Sequence, residues 1–347
     1  MTAVPQVPPG VRPIVGDHLS RVEISAAQRQ WRRAVNLATV SGLRARPRKI
    51  ELPAVAPYPK IFVVGCPRSG TSWVRSVIDM HPKVVSSRES HAYENIYGPV
   101  VAGGRHSIGT WTKILHRHDI GERELRWVGL HWWVNRAQLK DLAAWALHAE
   151  GTTDSDAAQR VIRGVFDSLF VARGGDNGTV LLEKTPGHLM YADKILRYFP
   201  EARVVEVLRD GRDVCVSMQM QAMTLDWPPQ SRREQIQAWV RAVRRGIDLR
   251  ADPEISPRIH LVRYEDVKRD AATEIERLLG FIGVDAEPSL IADIADRSDF
   301  RHQRITGDGQ HRRRGEVGDW ENHFTADDEE LFRSLAGELF EEAGYRF

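Results

Sequence analysis

The sequence predicts an α/β chain: three layers, with a central, mostly parallel β-sheet flanked by helices. Three observations predict it. Four short runs, 60-KIFVVG-65, 179-TVLLEKT-185, 202-ARVVEVLRD-210 and 258-RIHLVRY-264, have continuous apolar centres instead of alternation, as strands covered on both faces do. Helical patterns lie between them, at 72-SWVRSVIDM-80, 190-MYADKILRYF-199, 211-GRDVCVSMQMQAM-223 and 269-RDAATEIERLLGFIG-283. That strand–helix rhythm implies parallel pairing through crossover helices. The 347 residues, 42% hydrophobic and 28% charged, have ordinary globular composition and suffice for one large α/β domain.

In chain order, residues 1–55 are rich in Pro and Arg and read as an N-terminal arm, with one helix predicted over 25-SAAQRQWRRAVNLATV-40. Residues 56–347 read as a single domain. Within it, 91–178 breaks the strand–helix rhythm. This stretch is helical in pattern, carries Trp111, Trp127, Trp132, Trp133 and Trp145, and is expected to form the acceptor side. The segment 325-TADDEELFRSLAGELFEEAGY-345 opens on a Thr cap and an acidic first turn, then spaces Leu331, Leu335 and Leu339 for a helix. No internal repeat or low-complexity tract is present.

The net charge of +2 demands neither nucleic acid nor an anionic membrane as partner. Cys66 and Cys215, far apart in apolar segments, argue against a disulfide framework and fit a reducing compartment. Apolar runs are far shorter than a membrane span, and MTAVPQVPPG has no secretory pattern. The expectation is a cytoplasmic protein without a transmembrane segment.

The segment 60-KIFVVGCPRSGTSWVRSVIDMHP-82 reads as strand, Gly-bounded loop and helix. It nearly spells the triphosphate-binding loop G-x-x-x-x-G-K-[ST], but Thr71 fills the lysine position and the cation has moved back to Arg68. Such a loop aims backbone N–H groups at an anion, and Thr71 and Ser72 add hydroxyls at the helix start. Without the lysine that spans the β- and γ-phosphates, a Mg²⁺–triphosphate is poorly served. A single 5′-phosphate suits the loop better. Taken alone the loop also fits a ligand-free turn, because G-x-x-x-x-G is a loose pattern.

The stretch 65-GCPRSGTSW-73 resembles the 5′-phosphosulfate loop of sulfotransferases that use 3′-phosphoadenosine 5′-phosphosulfate (PAPS). The stretch 206-EVLRDGRDVCVSM-218 resembles that family's 3′-phosphate motif, giving Arg209 and Ser217, and 313-RRGEVGDWENHFT-325 resembles the C-terminal motif of its cytosolic branch. The three segments keep the family's order and approximate spacing over about residues 58–347. The resemblance implies the P-loop-like sulfotransferase fold, PAPS as donor, 3′-phosphoadenosine 5′-phosphate (PAP) as product, and no metal. It implies donor contacts from Arg68, Ser69, Gly70, Thr71, Ser72 and Trp73 at the first loop. It implies 3′-phosphate contacts from Arg209, Ser217, Arg313, Arg314 and Gly315, and purine contacts from Tyr264, Ser298 and Phe300, although Asp299 interrupts the last pair. From its residues alone, the Arg209 segment also fits a surface pair with Asp210 or Asp213, and Trp73 fits core packing.

Sulfuryl transfer is expected to be an in-line displacement in which the protein supplies mainly positioned cations. Arg68 can serve the bridging oxygen, and Lys184, in 183-EKTPGH-188, the transferring group. The acceptor hydroxyl needs a base. Glu89, in 86-SSRESHAY-93, resembles the glutamate base of tyrosylprotein and Golgi carbohydrate sulfotransferases. His188 lies near the histidine base of the cytosolic branch but is displaced two positions, with Pro186 in the histidine's place. His91 is the third choice. Expected acceptors are small hydroxylated molecules (phenol, sterol, lipid or sugar), with an amine as the second choice. The alternatives are a P-loop kinase, which would need a lysine after Gly70, and a non-catalytic PAP-binding regulator. Oligomeric state is left open: Glu321 and Ala326 stand where the cytosolic branch's dimer segment has lysine and valine.

Overall fold

The computed structural model describes Leu43 and residues 56–124, 129–299 and 316–347. The helix predicted over 25–40 lies outside them. The described residues divide into two compact units, one within 56–89 and 173–347, the other within 90–172.

The first unit holds a five-stranded sheet of β1 (Lys60–Gly65), β2 (Val84–Ser86), β3 (Val180–Lys184), β4 (Ala202–Leu208) and β5 (Ile259–Arg263). Strand order is β2-β3-β1-β4-β5, and every pair is parallel. The chain leaves β1 toward β2 and β3 on one side and returns to β4 and β5 on the other. Where the order reverses, the C-terminal ends of the strands open a crevice, the usual ligand position in such sheets.

Strand residues alternate between two layers. Ile61 and Val63 of β1, Val180 and Leu182 of β3 and Val205 and Val207 of β4 face one layer, and all are at most 2% exposed. There they meet Val74 and Val77 of α1 (Thr71–Ile78) and Ile275, Leu278 and Leu279 of the later helix Ala271–Ile282. Phe62 points the other way, its ring 6.3 Å from that of Phe199.

In the second unit a π-helical turn (Tyr93–Tyr97) leads into α2 (Gly98–Gly103), α3 (Ile108–Glu124), α4 (Arg136–His148) and α5 (Asp154–Ala172). Its interior is polar at fixed points: the Tyr93 hydroxyl donates to Gln159 Oε1 at 2.7 Å, and the Trp111 indole N–H to the Arg105 carbonyl at 2.7 Å. Asn135 and Gln138 cap α4 reciprocally. The first unit then continues with α6 (Ala192–Tyr198), α7 (Gly211–Ala222), α8 (Arg232–Ala251), α9 (Tyr264–Arg269), α10 (Ala271–Ile282), α11 (Pro288–Ser298) and α12 (Ala326–Glu342). Among the described residues no helix is long and apolar enough to cross a membrane.

Three of the element boundaries that differ from the sequence expectation bear on the site. β4 ends at Leu208, so Arg209 and Asp210 lie in the turn before α7. β5 ends at Arg263 because its last partner in the ladder is Leu208; Tyr264 therefore opens α9 instead of closing a strand. The helix expected over 269–283 breaks at Asp270, whose extended backbone (φ −143°) lets its carboxylate accept from Thr273 N and start α10.

Candidate active site

The loop after β1 has a backbone that glycine alone fits at two points. Gly65 has φ +152°, and a Cβ there would lie 2.5 Å from the Val207 carbonyl oxygen. Gly70 has φ +102°, and a Cβ there would meet the Tyr264 ring at 2.5 Å. Arg68, between them, also lies in the left-handed region at φ +75°. Strained backbone of this kind is kept where the surroundings hold it, commonly at functional sites. The loop closes by Ser69 N–H donating to the Cys66 carbonyl at 3.0 Å. The Ser69 hydroxyl is buried and has no hydrogen-bond partner among the described residues. No side chain caps α1, so its first N–H groups face the loop. These donors suit an anion.

Two cations border it. Arg68 Nε donates to Ser217 Oγ of α7 at 3.1 Å. Lys184, at the end of β3, donates to Ser72 Oγ at 3.0 Å and is ion-paired with Glu89 Oε1. Loop helix, strand end and the carboxylate after β2 thus meet at one ammonium group. Lys184 is 7% exposed and Glu89 21%, so the pair is shielded and its carboxylate is still reachable. His91 follows with φ +49°.

His188 is elsewhere. Its ring is fully buried, and Nδ1 lies 2.8 Å from Glu183 Oε2, while Thr185 donates to the other Glu183 oxygen at 2.6 Å. Successive strand residues point to opposite faces, so Glu183 and His188 occupy the layer away from Lys184. The His188 ring packs 6.3 Å from that of Phe62.

A second polar cluster surrounds Arg209. Its guanidinium lies 4.4 Å over the Tyr264 ring and donates to the Glu316 carbonyl at 2.8 Å and to Asp213 at 3.3 Å. Arg209 Nε is buried without a partner among the described residues. The two Asp213 carboxylate oxygens accept from Gly318 N–H and Trp320 N–H, each at 3.0 Å. Burial raises the Asp213 carboxyl above the usual aspartate range, against the pull of Arg209 and the two N–H donors. Burial likewise pushes the Tyr264 phenol up to about 12, which keeps it neutral. Trp73 is 7% exposed, sits in the sheet's core, meets Tyr264 edge-on and donates to the Ser298 carbonyl at 2.9 Å. Phe300, Arg313, Arg314 and Gly315 lie outside the described residues.

The model of the sulfotransferase family matches residues 59–288, about two-thirds of the chain, and includes the phosphate loop, Glu89, Lys184, Arg209, Asp213 and Tyr264. The chain belongs to the sulfotransferase family. It is 27% identical to protein-tyrosine sulfotransferase 2 of Gallus gallus over 169 residues, 48% of this chain and 35% of that protein. It is 25% identical to sulfotransferase 2A1 of Homo sapiens over 189 residues, 45% of this chain and 65% of that protein. The matches thus span from about a third to just under two-thirds of these relatives' length. Among solved structures, mouse sulfotransferase SULT7A1, crystallised with PAP, superposes with a TM-score of 0.50 at 16% identity, covering 87% of this chain and 89% of that one. This likeness shows the fold.

Two residues of this sulfotransferase matter more than the sequence indicated. Asp213 reads as a surface partner for Arg209, yet it also anchors the segment 316–320; the signal was its place in 209-RDGRD-213, four residues past the arginine on a helix start. Glu265 accepts from Asp210 N–H at 2.8 Å; the sequence placed it in the Y-E-D resemblance at 264–266, where only Tyr264 was given a role.

Proposed function

We propose that this sulfotransferase moves a sulfuryl group from PAPS to a hydroxyl of a small-molecule acceptor. The observation that carries the reading is the position of Lys184, which joins Ser72 at the phosphate loop to the Glu89 carboxylate. The glycine cradle and the Ser69 hydroxyl suit the donor's 5′-phosphate, and the Arg209–Ser217 side suits its 3′-phosphate. The relatives' names support sulfuryl transfer, and the PAP in the mouse structure supports this donor.

In the reaction the acceptor oxygen attacks sulfur while the bond from sulfur to the bridging oxygen of the 5′-phosphate breaks. The Glu89 carboxylate takes the acceptor's proton as the new S–O bond forms. Lys184 has three ammonium hydrogens; two serve Ser72 and Glu89, and the third is directed to a peripheral sulfuryl oxygen. Arg68 stabilises the charge that gathers on the leaving phosphate. His188, buried against Glu183, supports the turn after β3 and does not meet the acceptor.

Calorimetry of PAP against ADP and ATP tests the reading. PAP binding at least about tenfold tighter than either, a difference of about 1.4 kcal/mol, is expected. Preference for ATP, with activity lost on adding EDTA and restored by Mg²⁺, would replace it with a kinase.

A further inference from the structure

The turn that carries Arg209 is tied to a distant part of the chain. Glu265, the second residue of α9, accepts from Asp210 N–H through Oε1 at 2.8 Å. Its other oxygen accepts from the Tyr345 hydroxyl at 3.0 Å. Tyr345 belongs to the segment 343–347 after α12 and is itself fixed. Its ring stacks on Phe340 with centroids 5.1 Å apart, and its N–H donates to the Phe340 carbonyl at 3.0 Å. Arg263 donates to the Ala343 carbonyl from beside the same ring, and Arg212 reaches the Arg346 carbonyl at 3.4 Å. Arg212 also binds the Asp210 carboxylate at 2.7 Å and lies 3.8 Å over the Trp320 ring. The backbone immediately after Arg209 is therefore set from both sides by residues far away in sequence.

A carboxylate is an unexpected choice beside a site for anions, since its charge opposes a phosphate. Burial raises the Glu265 carboxyl above the usual range, against the pull of the hydrogen bonds from Asp210 N–H and the Tyr345 hydroxyl. What a carboxylate gives in return is two acceptors in a fixed plane, one for Asp210 N–H and one for Tyr345.

We infer that Glu265, held by Tyr345, is a positioning residue that aims Arg209 at the donor's 3′-phosphate. The inference rests on the proposed donor. It makes the segment 343–347 part of the donor-recognition apparatus, although Tyr345 touches no substrate.

The test compares PAP with 5′-AMP, which lacks the 3′-phosphate, by calorimetry or competition on the full chain. Tyr345→Phe removes one hydroxyl and Glu265→Ala both ties. Each is expected to weaken PAP by about 3- to 10-fold, the effect of about one hydrogen bond. Binding of 5′-AMP should change less than about twofold, a shift of under half a kcal/mol. Glu265→Gln should restore PAP binding, because its amide oxygen can accept from Asp210 N–H while its NH₂ donates to Tyr345 Oη. Equal weakening of both nucleotides, or no weakening of PAP, would show that the tie only stabilises the fold and would overturn the inference. If Glu265→Ala does not fold, the Tyr345→Phe comparison decides. Arg209→Ala is the control: if it and the unaltered protein bind PAP and 5′-AMP alike, the proposed donor fails first. If Arg209→Ala loses the preference and Tyr345→Phe keeps it, only the positioning role fails.

Discussion

Glu183 and Lys184 are neighbours in sequence and opposites in surroundings. Lys184 leaves β3 toward Ser72 and Glu89, while Glu183 turns to the buried His188 and Thr185. Glu89 and His188, two of the three candidate bases, therefore predict different failures. Glu89→Gln should keep stability and PAP affinity and lower kcat by about 10²- to 10⁴-fold, the usual contribution of a positioned base. His188→Ala should instead leave a buried carboxylate short of a partner and destabilise the protein by about 3–5 kcal/mol in urea unfolding. A folded His188→Ala protein with unchanged midpoint and lost kcat would reverse the roles. Arg68→Ala should reduce kcat by about 10²- to 10³-fold, the scale of one lost charge-stabilising donor; an unchanged rate would remove Arg68 from the chemistry. Gly70→Ala combines a left-handed backbone with a clash on Tyr264, and it should cost more than about 2 kcal/mol. A melt identical to that of the unaltered protein would mean that the loop adopts another backbone.

The helix starts show which elements were legible. The loop before α1 and the Thr325 cap of α12 could be read because their signals are local: glycines at fixed spacing, and a cap with acidic residues behind it. The ends of β4 and β5 were misplaced by one or two residues because a strand stops where its ladder partner stops, which is information held by another segment. The environment of His188 was hidden for a similar reason. The motif gave its position in the chain, but only the pleat of β3 decides which layer Glu183 and its partners enter. Asp213 belongs to this scale too, since one carboxylate on α7 holds the start of the segment leading to α12. Asp213→Ala should lower the urea midpoint, about 2–4 kcal/mol for two orphaned N–H groups and a weakened Arg209. Asp213→Asn should recover part of this, because its single amide oxygen still accepts one N–H. An Asp213→Ala midpoint equal to the unaltered one would show that the segment is held by other contacts.

Across the whole chain, the two thiols report on folding. Cys66 is 4% exposed and Cys215 fully buried. Burial raises both thiols, Cys215 to about 12. Thiolate is the reactive form. Ellman's reagent at pH 8 should therefore find no reactive thiol in the native protein and two after unfolding in guanidinium; rapid labelling of the native chain would contradict this packing. The fold class was readable because parallel strands buried on both faces leave unbroken apolar runs. The site was readable in outline because its loops follow those runs. The central strand also makes a timing problem for the growing chain. Lys60 of β1 pairs with Leu181 on one side and Ala202 on the other. During synthesis the first glycine turn emerges well over a hundred residues before either flank exists. Closing such distant pairs is intrinsically slow. Until β4 has been made, no Val207 carbonyl lies beneath Gly65, and the cradle that would grip a nucleotide has no floor. A ribosome-stalled chain ending before residue 200 should therefore be unable to hold PAP.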